Sequence, residues 1–340
     1  MSKSKIDEVA RAMVANGKGI LAADESSGTI AKRFKTIETE STPENHRKYR
    51  DMLFTTPGIE QFVSGVILFD ETIRQSGLDG TPFPELLAKK GIIPGIKVDG
   101  GLSDLAGFPG DQVTQGLDGL RERLSEYYDL GARFAKWRAV INIGDGIPSA
   151  FGLDANAHAL ARYAALCQEA AIVPIVEPEV LLDGEHDIDR CDEVTEATLR
   201  QVFIALAEHR VRLEGMILKP SMVISGASCQ QKASTEDVAD RTVHCFERTV
   251  PSAVPGIAFL SGGQTSEQAT AHLNAMNARF DNLPWQLSFS YGRALQDKPL
   301  RLWAGKSENV AAAQKAFHHR AKCNSAARTG QYSAAMETSS

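Results

Sequence analysis

The stretch Gly19-Ile20-Leu21-Ala22-Ala23-Asp24-Glu25-Ser26-Ser27-Gly28 decides the fold. Its first half is short and apolar, as a buried strand is, and its second half is acids and hydroxyls. An open doubly wound sheet would follow its first strand with a Gly-x-Gly-x-x-Gly turn that cradles a dinucleotide. No such turn follows, so no dinucleotide is expected. The rest of the chain likewise gives no reason to expect any other cofactor. Seven more strand-like runs come after it, at Val63–Phe69, Ile93–Val98, Arg133–Val140, Ile172–Pro178, Leu213–Leu218, Gly256–Leu260 and Trp285–Tyr291.

Longer stretches with helical spacing separate these runs. In Leu117–Leu130, apolar Leu117, Leu120, Leu124, Tyr127 and Tyr128 recur three and four residues apart, with charges between them. Ala155–Ala171, Val194–Glu208, Thr235–Thr249 and Ser266–Ala278 behave alike, and Asp154, Ser234 and Thr265 are suited to cap helices. Strand-then-helix units in succession argue for a parallel sheet. Eight of them over about 300 residues match a closed barrel. The reading is therefore α/β, a single (β/α)8 TIM barrel over residues 1–330. Its first unit is expected to be irregular, with an extended Ser26–Ser41 before the helix. The small, polar end of the chain, residues 331–340, is expected to be a short flexible tail.

Composition narrows the function. With 43% hydrophobic and 24% charged residues, the chain can fill a sizeable core. A net charge of −6 gives no reason to expect nucleic acid as a partner. The longest apolar runs are too short to span a membrane, and the polar start Met1-Ser2-Lys3-Ser4-Lys5 is no secretory leader, so a cytoplasmic protein is expected. Five scattered cysteines suggest ordinary reduced thiols. No His-x-x-x-His pair or acidic metal loop occurs, and no catalytic metal is expected.

In such a barrel the active site lies at the carboxyl ends of the strands. Read in order, those ends carry Asp24, Asp70-Glu71, Lys97-Val98-Asp99, Lys136-Trp137-Arg138, Glu177-Pro178-Glu179, Lys219, Ser261-Gly262-Gly263 and Tyr291-Gly292-Arg293. Residues two apart on a strand share a face. Lys136 then sits with Arg138, Glu177 with Glu179, and Lys97 with Asp99. A lone strand-end charge is usually a rim residue, Asp70-Glu71 fits that description, and Tyr291 fits packing. Seven of the eight ends, however, carry groups that one mechanism would use. Desolvation and neighbouring positive charge lower a lysine pKa, and a neutral amine forms a Schiff base with a carbonyl. Three strand-end lysines, Lys97, Lys136 and Lys219, thus point to carbonyl chemistry on a sugar phosphate.

The phosphate has candidate seats. Glycines let backbone N–H groups approach an oxyanion, and an arginine adds a forked donor. Ser261, Gly262 and Gly263 after the seventh strand, with Gly292 and Arg293 after the eighth, occupy the usual phosphate locus of this fold. Ser26, Thr29 and Arg33, with Lys97, are candidates for a second phosphate across the mouth.

These motifs resemble class I fructose-bisphosphate aldolase, the metal-independent, Schiff-base type. The likeness runs in the family's order through Gly19–Ser26, Gly95–Asp99, Phe134–Arg138, Ile175–Glu179, Leu218–Pro220, Phe259–Gln264 and Phe289–Gln296. It implies that Lys219 forms the imine and that Glu177 is the acid and base of its formation. Glu179 and Lys136 would relay protons beside it, with Lys136 helping to keep Lys219 neutral, and Asp24 would take the C4 hydroxyl proton. Arg138 and Lys97 would hold the distant phosphate, and Ser261, Gly262 and Arg293 the one on the dihydroxyacetone half.

Two features depart from the family. Animal and plant members close their tail on a tyrosine, whereas this chain ends Glu337-Thr338-Ser339-Ser340, with Tyr332 the nearest tyrosine. Gly100 also stands where animal members commonly place a lysine after the aspartate. The expected activity is reversible cleavage of fructose 1,6-bisphosphate to two triose phosphates, in glycolysis and gluconeogenesis, by a homotetramer. Another imine-forming barrel lyase or transaldolase, or a non-catalytic scaffold, are the alternatives.

Overall fold

In the computed structural model, which describes residues 3–338, eight parallel strands close into a barrel. They are β1 (Gly19–Ala23), β2 (Val63–Leu68), β3 (Ile93–Lys97), β6 (Phe134–Ile141), β7 (Val173–Val180), β8 (Ile217–Leu218), β9 (Gly256–Phe259) and β10 (Gln286–Tyr291). The cyclic order β1-β10-β9-β8-β7-β6-β3-β2 follows the chain around the barrel. An antiparallel ribbon of β4 (Leu102–Asp104) and β5 (Gln112–Thr114) interrupts the sequence of strands. Three-residue strands carry no measurable alternation, so the sequence gives no sign of this ribbon.

The core has two parts. Between strands and helices lies one large apolar cluster, in which Phe34, Trp137, Tyr163, Phe246 and Trp303 are buried. Inside the barrel lies a smaller one, made of Ile20, Ala22, Ile67, Phe134, Val173, Ile175, Ile217 and Ala258, with Ile6, Ala10, Met13 and Val14 closing the bottom. The last four belong to or follow the amphipathic helix Lys3–Met13, which plugs the amino-terminal end of the barrel. Gly95 makes room for this interior. A Cβ built there would lie 2.2 Å from the Phe134 ring.

Local signals explain the helix starts. Ser234 and Thr265 cap Thr235–Thr249 and Ser266–Arg279, each in a reciprocal capping box. Asp154 caps nothing, however. Its helix runs Ala150–Glu169 from Ser149, and Asp154 accepts a hydrogen bond from Gln201 instead. Ser26–Ser41 also departs from expectation, for residues Ser27–Lys35 form a helix capped by Ser26. Only Ile217–Leu218 of the run Leu213–Leu218 pair as strand, because Leu213–Gly215 turn as a 3-10 helix. Toward the C-terminus, Ala334–Thr338 form a 3-10 turn. There Glu337 accepts hydrogen bonds from Tyr332 (2.8 Å) and Arg320 (2.7 Å).

Candidate active site

The alternation that fills the barrel also builds the site. Along β6 the inward positions are Phe134, Lys136 and Arg138, and along β7 they are Val173, Ile175, Glu177 and Glu179. Both series run from apolar at the plugged end to charged at the open end. On β1 the series Ile20, Ala22 leads to Asp24, and on β8 Ile217 leads to Lys219. Register completes the arrangement, with Lys97 opposite Lys136 and Arg138 opposite Glu177.

Lys219 is buried, 3% exposed, and its Nζ lies 3.0 Å from Glu177 Oε1. Lys136 Nζ lies 3.2 Å from Glu177 Oε2, 2.8 Å from Asp24 Oδ2 and 3.9 Å from Asp99 Oδ2. Glu177 therefore bridges the Lys219 and Lys136 side chains, and Lys136 joins Glu177 to Asp24. Burial opposes the charge on Lys136, but Asp24, Glu177 and Asp99 outweigh it and hold its pKa well above the ordinary lysine value. This corrects the expectation that crowding lowers it, because carboxylates, not ammonium groups, are the nearer neighbours. Asp24 shows the mirror case. Burial raises its pKa, while Lys136, Lys219 and Lys97 pull it far below the ordinary carboxylate range. At neutral pH the structure thus holds Asp24 as a carboxylate beside a charged Lys136.

Above this cluster Arg138 donates through Nε to the Glu179 carboxylate. Arg138 also lines a cavity of about 510 Å³ together with Thr29, Lys32, Arg33 and Arg293. Three strand-end units, the first, fourth and eighth of the barrel, thus bring arginines to a single concavity, the eighth supplying both Arg293 and Arg301. A neighbouring cavity of about 400 Å³ is lined by Gly263, Gln264, Thr265, Ser266 and again Arg293. Arg293 opens the helix Arg293–Trp303, and Gly262 and Gly263 take φ of +54° and +89°, which glycine adopts without strain. Ser261 is buried directly before them. Gly292 packs against the end of β1 and Arg33, since a Cβ there would lie 3.5 Å from Ala22 O and 3.7 Å from Arg33 Nη2.

Two of the expected phosphate groups are engaged elsewhere. Lys97 lies 2.7 Å from Asp99 Oδ1 and donates to its carbonyl at 2.8 Å, apart from the residues that line the arginine cavity. Ser26 caps its helix, accepting from Thr29 N at 3.4 Å. Asp70 and Glu71 are occupied by Arg74 with Tyr127 and by His46, and the Tyr291 hydroxyl donates to Ala269 O inside the core.

One network was not legible. Glu25, adjacent to Asp24 and facing the other way, is buried and receives Arg33, Arg50 and Gln296 Nε2, the last at 3.0 Å. Gln296 also donates to Ala22 O at 2.7 Å and accepts from Tyr49 at 3.0 Å. The carboxylate thereby ties Arg33, at the cavity, to the end of the strand that carries Asp24. Arg50 and Gln296 sit in helical stretches that carry no sequence signal for such a role.

A parallel barrel whose open end gathers buried lysines, carboxylates and an arginine-lined cavity defines an enzyme built for phosphorylated carbonyl compounds. Comparison with known proteins makes this specific. Residues 5–340 match the family model of fructose-bisphosphate aldolase class-I. A probable fructose-bisphosphate aldolase class 1 from Xylella fastidiosa is 62% identical over 98% of this chain and 99% of its own. The cytosolic fructose-bisphosphate aldolase 6 of Arabidopsis thaliana is 55% identical over 93% of this chain and 88% of its own. The fructose-bisphosphate aldolase of Plasmodium falciparum, solved with TRAP and a small-molecule inhibitor, superposes with a TM-score of 0.96. It is 51% identical and covers 97% of this chain and 95% of its own. The chain belongs to the class-I fructose-bisphosphate aldolases.

Proposed function

We propose that this aldolase cleaves fructose 1,6-bisphosphate reversibly into dihydroxyacetone phosphate and glyceraldehyde 3-phosphate through an imine on Lys219. The contact that carries the reading is Glu177 Oε1 at 3.0 Å from Lys219 Nζ, with Lys136 on the other carboxylate oxygen. Lys219 hands a proton to Glu177 and attacks C2 of the open-chain ketose, forming a carbinolamine. Glu177 returns a proton to the departing hydroxyl, water leaves, and a cationic imine remains. Asp24, held as a carboxylate, then takes the C4 hydroxyl proton. The C3–C4 bond breaks, its electron pair moves into the imine to give an enamine, and the aldehyde half departs. A proton at C3 and hydrolysis of the imine release the second product and free Lys219. Lys136 and Glu179 serve as proton relay and charge balance. Arg138, Ser261, Gly262 and Arg293 bind phosphate, helped by Thr29 and Arg33 on the arginine cavity and by Gly263 and Gly292 at its edge; Ser26 fixes the loop and Lys97 stays paired with Asp99. A cytoplasmic homotetramer, as the likeness to the family implies, completes the reading. Among the described residues no helix is long and apolar enough to cross a membrane.

Borohydride in the presence of dihydroxyacetone phosphate tests this directly. It should fix the ligand to Lys219 and abolish activity, and mapping of the adduct to Lys136 or Lys97 would overturn the assignment.

Substrate affinity supplies a second test. Arg293→Ala deletes a charge-assisted, forked contact of a kind worth about 1.5–3 kcal/mol. Affinity for phosphorylated ketoses should fall by one to two orders of magnitude while unphosphorylated fructose is handled as before. Equal losses for both sugars would assign Arg293 to the fold.

Tyr332 is committed to Glu337 at 2.8 Å, and its pKa is pushed up to about 12 by burial and by that carboxylate. Enamine protonation therefore falls to water or to a resident carboxylate. Tyr332→Phe should leave cleavage and proton exchange on dihydroxyacetone phosphate within a few-fold of the parent. A loss of proton exchange of about 10²-fold, the range of a general acid, would give the role to Tyr332.

A further inference from the structure

We propose that the last helix and the C-terminal segment together form a zinc site from His319, Cys323 and Glu337. His319 and Cys323 stand one turn apart on the helix Val310–Arg328, the spacing that stacks two side chains on one face. The His319 Nε2 and Cys323 Sγ atoms are 3.7 Å apart. Two ligands of a tetrahedral zinc ion, nitrogen and sulfur at their ordinary bond lengths, stand about 3.6 Å from each other. The pair is thus spaced for zinc before any ion binds.

Glu337 supplies the third ligand from the 3-10 turn Ala334–Thr338, and the three donor atoms lie within 4.8 Å of one another. Its carboxylate is already aimed. Oε2 accepts from Arg320 at 2.7 Å and Oε1 accepts from Tyr332 at 2.8 Å. Each oxygen keeps a second lone pair for a metal. Outer partners of this kind orient a ligating carboxylate and are part of how a metal site is built. Cys323 is buried, whereas His319 and Glu337 reach the surface, which gives the ion an entry path and leaves the fourth position to water.

The donor set selects the ion. One imidazole, one thiolate and one carboxylate suit zinc, while magnesium and calcium take oxygen ligands alone. Binding displaces the thiol proton to solvent, the sulfur stays reduced, and no other reactant is needed. The three ligands come from two pieces of chain, so the ion would clamp the C-terminal segment onto the last helix. None of the ion pairs of Lys219, Lys136 or Glu177 involves these residues, so the site is separate from the cleavage chemistry.

The test uses the full chain, reduced and stripped with a chelator, then titrated with zinc against a chromophoric competitor and separately with cobalt. The expected result is one ion per chain, a sulfur-to-cobalt charge-transfer band in the near ultraviolet, and no competition from magnesium. Cys323→Ser should remove the band. His319→Ala and Glu337→Gln, each removing a ligand, should each weaken zinc by at least about 100-fold, the upper end of what loss of a mere outer partner costs. Zinc should also slow proteolysis within residues 331–340 in the parent and not in these variants. Should Cys323→Ser fail to fold, the other two replacements, at partly exposed positions, decide the matter. Absence of the cobalt band, competition by magnesium, or affinity unchanged in both His319→Ala and Glu337→Gln would overturn the site.

Discussion

Lys219→Met is expected to lower cleavage of fructose 1,6-bisphosphate by at least roughly 10⁵-fold, the scale seen when a covalent nucleophile is removed. Methionine matches the unbranched, buried stem of Lys219, so the barrel interior should close around it without a cavity. What is lost is the electron sink. Without an imine the electrons of the C3–C4 bond have nowhere to go, and neither Asp24 nor Glu177 supplies a substitute. Glu177 keeps Lys136 at 3.2 Å and is not left as an orphaned charge. Binding should survive, because Arg33, Arg138 and Arg293 on the cavity are untouched. The variant should therefore show substrate affinity within a few-fold of the parent, measured by calorimetry, with no borohydride-trapped adduct. Residual turnover above a hundredth of the parent would mean that another amine, or no amine, carries the reaction. Chelators should leave parental cleavage unchanged, since the imine does the work that a metal does in other aldol cleavages.

The barrel was legible because its evidence is periodic. β1 coincides with the run Gly19–Ala23, and β10 starts one residue inside Trp285–Tyr291. Lys136, Glu177 and Lys219 could be singled out because a charged residue in a buried strand is costly, and a parallel barrel brings such strand ends together. Side-chain engagement was less legible. Lys97 and Ser26 are of the right type at the right strand ends, yet one is occupied by Asp99 and the other caps a helix. Distance in sequence hid the rest. Arg50 and Gln296 reach Glu25 from positions 25 and 271 residues away. The Asp154 cap failed for a local reason, since Ser149 sits five residues earlier and its hydroxyl accepts from Gly152 N at 2.9 Å.

Glu25→Gln should cost about 3–5 kcal/mol of folding stability, the loss expected when one partner of a buried ion pair is removed. The substitution is nearly isosteric, so the cost is electrostatic. Arg33 and Gln296 donate to one carboxylate oxygen and Arg50 to the other. A glutamine must turn its NH₂ toward one of those donors, and Arg50, 2% exposed, is left inside the protein without a counter-charge. The pH dependence separates this from simple loss of packing. Burial raises the Glu25 pKa, but Arg50 and Arg33 outweigh burial and hold it below its ordinary 4.5. A depressed carboxylate contributes stability that is fully present above its unfolded value and is lost as pH falls through its folded value. The gap between parent and variant, read from urea midpoints, should be full at pH 7 and shrink progressively below about 4.5, because only the parent has this charge to lose. A gap that stays constant into acid would show that shape and not charge holds Arg50. The same substitution loosens Arg33 at the cavity, so affinity for the bisphosphate should fall while the imine on Lys219 still forms with dihydroxyacetone phosphate. An unchanged affinity would separate the Glu25 network from the site and leave it a purely structural anchor for β1.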